Sequence, residues 1–359
     1  MKREMRVVFL AFSVRGAMGQ YIEALTPHLS QRVELHLFVP DHYPGQTSSV
    51  SIHRFRTGKT RYKALLRFVN PFIAWNIWEE ILGIRPDLIH IFNGEGYPWG
   101  LLFSQSAYRE GIPVGLTLHD PELHPGCSIW EYANAIFRKF VIRRVASVHV
   151  HSKVFVKSAQ KLGARHIVVI PHGSIAERFT KYKCSDIARE PIALFFGRLE
   201  AYKGLDLLVE AGLILKGKLR IIIAGPGRLP ARIVKMIREY PEWFEVRNRF
   251  IPDDEVAFLF QKASVLVLPY KQATQSSLPL IAAAFGLPVV ATSVGAFVED
   301  VPRVGGILVP PGNVVALAEG MLKGIGLTPV YPRELEMHIL ADQFLNWYRS
   351  LCHSKQLTL

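Results

Sequence analysis

Two cations stand five residues apart where a buried stretch ends, Arg198 and Lys203 in the run Phe195-Phe-Gly-Arg-Leu-Glu-Ala-Tyr-Lys-Gly204. The apolar residues Ala193–Phe196 read as a strand, so Arg198 emerges at its carboxyl tip. Lys203 precedes a glycine that opens an amphipathic helix with Leu205, Leu208 and Val209 on one face. A pair so placed can neutralise a diphosphate, the guanidinium by bidentate contact and the ammonium as a point charge. An arbitrary pair would be two solvated cations at a turn; the glycines and the strand tip argue for the anion. A second stretch repeats the arrangement. Val265–Leu268 reads as a buried strand, Gln275-Ser276-Ser277 as a polar loop, and a small-residue helix follows from Leu278. Ser276 or Ser277 caps that helix and Pro279 sits in its first turn. Backbone N–H groups at such a start attract anions, although many ordinary helices begin the same way.

Three further groups carry weaker signals. Gly16-Ala-Met-Gly19 follows the first apolar run as a dinucleotide fingerprint would, but the third glycine is missing. His119-Asp120 ends another buried run, where a loop histidine is either a ligand contact or simply solvated. His149 and His151 alternate on a strand and could share a face, yet no third ligand stands at metal spacing, and no metal is expected.

These residues need a scaffold that brings strand tips together. Short apolar runs alternate with amphipathic stretches along nearly the whole chain, the pattern of parallel sheets covered by helices. Strands are expected at 6–12, 34–39, 88–92, 114–118, 147–151 and 166–170, then at 193–196, 220–224, 244–246, 265–268, 288–291 and 306–309. Helices are expected at 19–29, 130–145, 204–215, 231–240, 253–262, 278–285 and about 334–351. The rhythm pauses between Gly173 and Pro191, which places a linker there. With 359 residues, two domains follow, residues 1–173 and 174–333, with the final stretch from about 334 to 359 packing back on the first. Doubly wound sheets bind ligands at the carboxyl ends of their strands, so the expected site is a cleft between the two domains.

Composition narrows the setting. Cys127, Cys184 and Cys352 are scattered and odd in number, which excludes a disulfide framework and fits a reducing cytoplasm. The apolar run after Met1 is too short for a secretory h-region, and no stretch reaches the roughly 18 apolar residues of a membrane span. The net charge is +13, and residues 1–174 hold 21 Lys+Arg against 12 Asp+Glu. Such asymmetry favours an anionic partner. No nucleic-acid signature is visible, so nucleic acid is set aside. Basic clusters at Lys59–Arg67 and Arg138–Arg144 are interleaved with Tyr62, Phe68, Phe137 and Phe140, which suits an anionic membrane surface on the inner face of the cytoplasmic membrane. Two ordinary surface helices would look similar.

Taken in order, the Gly-Arg-x4-Lys-Gly segment, Ala224-Gly-Pro-Gly227, the Pro269-to-Val290 loop and helix, and Gly305-to-Gly312 resemble the donor domain of the retaining glycosyltransferases of family 4. Looser matches in the first half are Gly16–Gly19, Pro86–His90, Pro113–Asp120 and Val168–Gly173. The resemblance implies the GT-B fold, α/β with two Rossmann-like doubly wound domains facing each other across a cleft. It implies that Arg198 and Lys203 hold a donor diphosphate, aided by Gly225, Gln275, Ser276, Ser277 and the N–H groups near Leu278. It brings the Gly16–Gly19 loop toward the donor and His119 beside the transferred sugar, and makes the final helix a crossover.

One departure stands out. Where the family has two glutamates eight positions apart, this chain has Ala273 and Ile281. Either the Gln275-Ser276-Ser277 loop supplies the lost contacts or the donor site is degenerate. The expected activity is retaining, metal-independent transfer of a hexosyl group from a nucleotide diphosphate sugar, without other cofactor, to a glycan or lipid-linked acceptor in polysaccharide or glycolipid synthesis. The rival readings are a non-catalytic nucleotide-sugar-binding subunit and a nucleotide-sugar epimerase of the same fold.

Overall fold

A computed structural model of the chain describes residues 4–14, 17–45, 49–56, 70–93, 98–121 and 137–356. The backbone divides into two compact units, residues 1–173 with 334–359, and residues 174–333.

Among the described residues, unit 1 is built on seven parallel strands: β1 (Arg6–Ala11), β2 (Glu34–Pro40), β3 (Ser51–Phe55), β4 (Leu88–Asn93), β5 (Val114–Thr117), β6 (Ser147–Val150) and β7 (Ile167–Val169). Their order is β3-β2-β1-β4-β5-β6-β7, doubly wound from β1. β1 is wholly apolar from Val7 to Ala11 because helices cover both faces of the sheet. β3 is an edge strand that the periodicity did not announce: Ser51, His53 and Arg54 break the apolar run, and only Phe55 is buried. α1 (Ala17–Leu29), α2 (Pro71–Ile84), α3 (Pro98–Arg109) and α4 (Val156–Lys161) provide the crossovers. Asn70 caps α2 by accepting the N–H groups of Phe72 and Ile73. Of the helix expected over 130–145, residues 137–142 are helical and 130–136 lie outside the described residues.

The last helix, Met337–Gln356, begins and ends later than the apolar pattern indicates, after a short 3-10 turn at Arg333–Leu335. It packs on α1, β4 and β5 and buries Leu340, Phe344, Trp347, Tyr348 and Leu351. Gly115 makes room for it: a Cβ there would lie 2.8 Å from the Trp347 ring.

Unit 2 has six parallel strands: β8 (Ile192–Phe196), β9 (Arg220–Ala224), β10 (Phe244–Arg247), β11 (Val265–Leu268), β12 (Val289–Thr292) and β13 (Ile307–Val309). They run in the order β10-β9-β8-β11-β12-β13. The short helix α5 (Glu177–Thr180) is followed by α6 (Leu205–Leu215), α7 (Ala231–Glu239), α8 (Asp253–Lys262), α9 (Leu278–Ala284), α10 (Phe297–Arg303) and α11 (Val314–Gly324). The linker segment is no idle pause. Arg189 donates to the carbonyls of Phe260, Gln261 and Ala263 at the end of α8 and to Phe285 O (2.7 Å) at the end of α9. One guanidinium thus satisfies helix-terminal carbonyls that have no partner within their own helices.

Candidate functional site

In unit 2 the tips of β8, β9 and β10 are stitched together. Gly197 N–H donates to Ala224 O, Gly225 N–H to Arg247 O and Gly227 N–H to the Asn248 amide oxygen. Gly225 has φ +142, and a Cβ on it would sit 2.1 Å from Gly197 O, so no other residue fits this seam. Arg198 projects from the tip with 69% of its side chain exposed, its Nη1 2.7 Å from Glu200. Gly204, in the left-handed conformation at φ +68, then starts α6. The space beside it is closed by Pro269 O, 1.9 Å from where a Cβ would be.

Lys203 differs sharply from Arg198. It is 8% exposed, and its Nζ lies 5.0 Å from the Tyr270 ring centroid and 6.0 Å from that of Tyr202. Among the described residues no carboxylate comes within ion-pair distance of it. Burial lowers its pKa to about 8, an effect that Glu200 opposes and Arg198 reinforces. The reading of two solvated surface cations therefore fails for Lys203. An ammonium this dehydrated, facing aromatic rings rather than a carboxylate, is one that an incoming anion could pair with.

The second loop departs from its expectation in detail. Ser277 occupies the N-cap position of α9 but its side chain makes no cap bond; Ser276 Oγ instead accepts the Leu278 N–H at 3.3 Å. Neither amide atom of Gln275 has a hydrogen-bond partner although both are buried. An amide left this way costs energy unless something else meets it. Ala273 lies where its carbonyl closely faces Gly295, and Ile281 is 2% exposed in the core. Ile281, which the resemblance aligns with the second family glutamate, is thus a packing residue here.

In unit 1, Gly16 lies outside the described residues. Gly19 sits in the first turn of α1, where a Cβ would be 2.3 Å from Val14 O, so the glycine lets α1 pass close to Val14. His119 is buried rather than solvated. Its Nε2 donates to Phe92 O at 3.0 Å and its Nδ1 lies 2.9 Å from His151 Nε2. Two residues deeper, a parallel chain runs from Tyr348 O–H to His90 (2.8 Å), to Thr117 Oγ1 (2.7 Å), to His149 Nδ1 (2.9 Å) and to Ile170 O (2.8 Å). Two tiers of hydrogen bonds therefore cross β4, β5 and β6 on one face. Alternation on β6 announced that His149 and His151 share it; the partners from β4, β5 and the last helix had no signal in sequence. Desolvation lowers the pKa of His119 and His149 to about 3 and of His172 to about 4, and holds His90 and His151 well below the ordinary value. Among the described residues no group of three ligating side chains could hold a metal ion.

Residues 190–325 match the family model Glycosyl transferases group 1, and residues 18–178 match Glycosyltransferase Family 4. An uncharacterized glycosyltransferase of Methanocaldococcus jannaschii, MJ1178, is 25% identical over 316 residues, 86% of this chain and 84% of that protein. Another from that organism, MJ1607, is 31% identical over 144 residues, 37% of this chain and only 35% of that protein's length. In fold, the chain is similar to sucrose-phosphate synthase (tll1590) from Thermosynechococcus elongatus, with TM-score 0.74, 19% identity, and 98% and 100% of the two chains covered. It is also similar to Anabaena Alr3699/HepE in complex with UDP-glucose, with TM-score 0.68, 17% identity, and 99% of each chain covered. Two family models that together span most of the chain, on two Rossmann-like parallel sheets, establish that this protein belongs to the family 4, group 1 glycosyltransferases and has the GT-B fold.

Proposed function

We propose that the protein transfers a glycosyl group from a nucleotide diphosphate sugar to an acceptor hydroxyl with retention, unit 2 taking the donor and unit 1 the acceptor. The observation that carries this reading is Lys203, a buried ammonium beside the exposed Arg198 at the tip of β8. The difficult event is departure of the nucleoside diphosphate while the sugar gains oxocarbenium character. Preorganised cations at the leaving group lower that barrier and need no metal to do so. The Gln275 amide fits the donor's hydroxyls or phosphate, in place of the contacts that Ala273 and Ile281 no longer offer. His119 is the residue of unit 1 assigned to the transferred sugar. The neighbour whose structure holds UDP-glucose supports a nucleotide-sugar donor.

The acceptor is a lipid-linked glycan at an anionic membrane surface, in polysaccharide or glycolipid synthesis. Phe72 (79% exposed) and Trp75 (61%) stand one turn apart at the start of α2, and Phe140 is also exposed near Lys139 and Arg143. The cluster Lys59–Arg67 lies outside the described residues.

A thermal-shift screen across UDP, GDP, ADP and dTDP and their sugars tests the donor assignment, since a ligand that binds the native state raises its apparent stability. One nucleoside diphosphate should stabilise the protein, and less so when Gln275, Ser276 and Ser277 are all replaced by Ala. No shift with any nucleotide would refute a donor site. A shift untouched by the triple replacement would place the compensating contacts elsewhere.

A further inference from the structure

The upper hydrogen-bond tier has a direction that one atom dictates. Phe92 presents a carbonyl, which can only accept, so the His119 Nε2 that meets it at 3.0 Å carries that ring's hydrogen. His119 Nδ1 is then a lone pair, and His151 Nε2, 2.9 Å away, must be the donor to it. His151 Nδ1 is left as a lone pair, buried and without a hydrogen-bond partner. A proton placed on His119 Nδ1 would confront the His151 N–H. This arrangement and the burial of both rings together favour the neutral pair. Packing also holds them: Tyr21 lies 5.5 Å from His151 and 6.4 Å from His119 between ring centroids, and Phe92 lies 5.0 Å from His119.

The three members come from the carboxyl ends of β4, β5 and β6, three adjacent strands at the sheet end where open α/β folds place ligands. We propose that His151 is a positioning residue for glycosyl transfer, fixing the orientation and the Nε2–H tautomer of His119 from the neighbouring strand. With both nitrogens engaged, His119 meets the sugar as a fixed, neutral ring and is not a proton donor or acceptor in the reaction. This rests on the assignment of His119 to the transferred sugar made above.

Four forms of the full chain test it: wild type, His151→Phe, His151→Gln and His119→Ala. Nucleoside diphosphate release is measured with whichever of the UDP-, GDP-, ADP- or dTDP-sugars the thermal-shift screen selects. His151→Phe keeps the ring volume but removes the donor; kcat should fall about tenfold or more while the donor KM stays within about twofold, because misorientation affects the reacting geometry and not the diphosphate contact. In His151→Gln the side-chain amide can donate from nearly the same place, and most of kcat should return. Imidazole nitrogen NMR of the wild type should show His119 as the Nε2–H tautomer. Wild-type kcat in folded His151→Phe, or an Nδ1–H tautomer at His119, overturns the proposal. If His151→Phe does not fold, the NMR result and the His151→Gln kinetics decide alone, and a Gln variant no better than His119→Ala counts against the proposal. Undiminished turnover in His119→Ala would remove the role of His119 itself, a failure of the earlier assignment that this variant alone reveals.

Discussion

Holding an ammonium out of water at the tip of β8 destabilises the free protein, and a bound diphosphate would offset that cost. Arg198→Ala and Lys203→Ala should each lower turnover by roughly 10²–10³, the loss typical of removing one charge-stabilising donor. Near-normal turnover in both folded variants would show that the diphosphate is held elsewhere. The pKa of Lys203, lowered to about 8, adds a pH test. Above that pH the free protein holds a neutral amine, so diphosphate affinity should weaken as pH rises through 8, and Lys203→Ala should abolish this dependence. Stability runs the other way. Between about 8 and the ordinary lysine value the unfolded chain binds the proton more tightly, so this residue's contribution to stability rises with pH across that window. Calorimetric titration with the selected nucleoside diphosphate at pH 7 and 9 measures the first effect, and an affinity constant across that range would contradict it.

At the scale of elements, Arg189 shows how much one side chain can hold. Its four carbonyl acceptors terminate α8 and α9, and α9 directly follows the Gln275 loop. Arg189→Ala should destabilise unit 2 by about 1.5–3 kcal/mol, the range for hydrogen bonds made by a charged group. Urea denaturation would show this as a lower midpoint with an unchanged slope; an unchanged midpoint would mean that water replaces the guanidinium without loss. The sequence showed little of this arrangement, since a lone arginine in a polar stretch has no periodic signature. Buried strands were legible because apolar residues run together without polar alternation through β8, β11 and most of β9, where both sheet faces are covered. β3 was not, because an edge strand needs no apolar run. At the site, Arg198 and Lys203 were visible by their glycines. Their opposite burial was not, because it depends on Tyr270 arriving from the loop after β11.

The whole molecule carries two further expectations. Five described histidines of unit 1, four of them buried and His172 partly so, have pKa values lowered by desolvation. Above pH 6.5 both folded and unfolded states leave them neutral. As pH falls below 6.5 the unfolded chain takes up protons that the folded unit refuses, so stability should drop progressively toward pH 4. A thermal melt with equal midpoints at pH 7 and pH 5 would contradict this. The second expectation concerns lipid. Each Lys or Arg at an anionic surface contributes about 1 kcal/mol, and salt screens it. Arg138 and Arg144 are partly engaged with Asp120 O and with Gln105, so on a membrane the exposed Phe72 and Trp75 would have to share the task. Co-sedimentation with phosphatidylserine vesicles should fall as salt rises, and should fall again when Phe72 and Trp75 become Ser or when Lys139 and Arg143 become Glu. A wild-type chain left in the supernatant at low salt would point to a soluble acceptor.

The last helix has a consequence for how the chain comes into being. Unit 1 is interrupted: its sheet is complete by residue 173, but the helix that covers β4 and β5 is encoded after all of unit 2. During synthesis the ribosome therefore delivers a finished unit 2 while Phe9, His90 and Gly115 still lack the cover of Phe344, Trp347 and Tyr348. Order of manufacture and order of completion are thus reversed, and the nascent first half must wait with an apolar face bare, a form prone to capture by chaperones or by other nascent chains. Pulse-labelled amide exchange on stalled chains should show protection in β8–β11 before β4–β6. Early full protection of β4–β6 in a chain stalled at residue 333 would show that the unit does not need to wait.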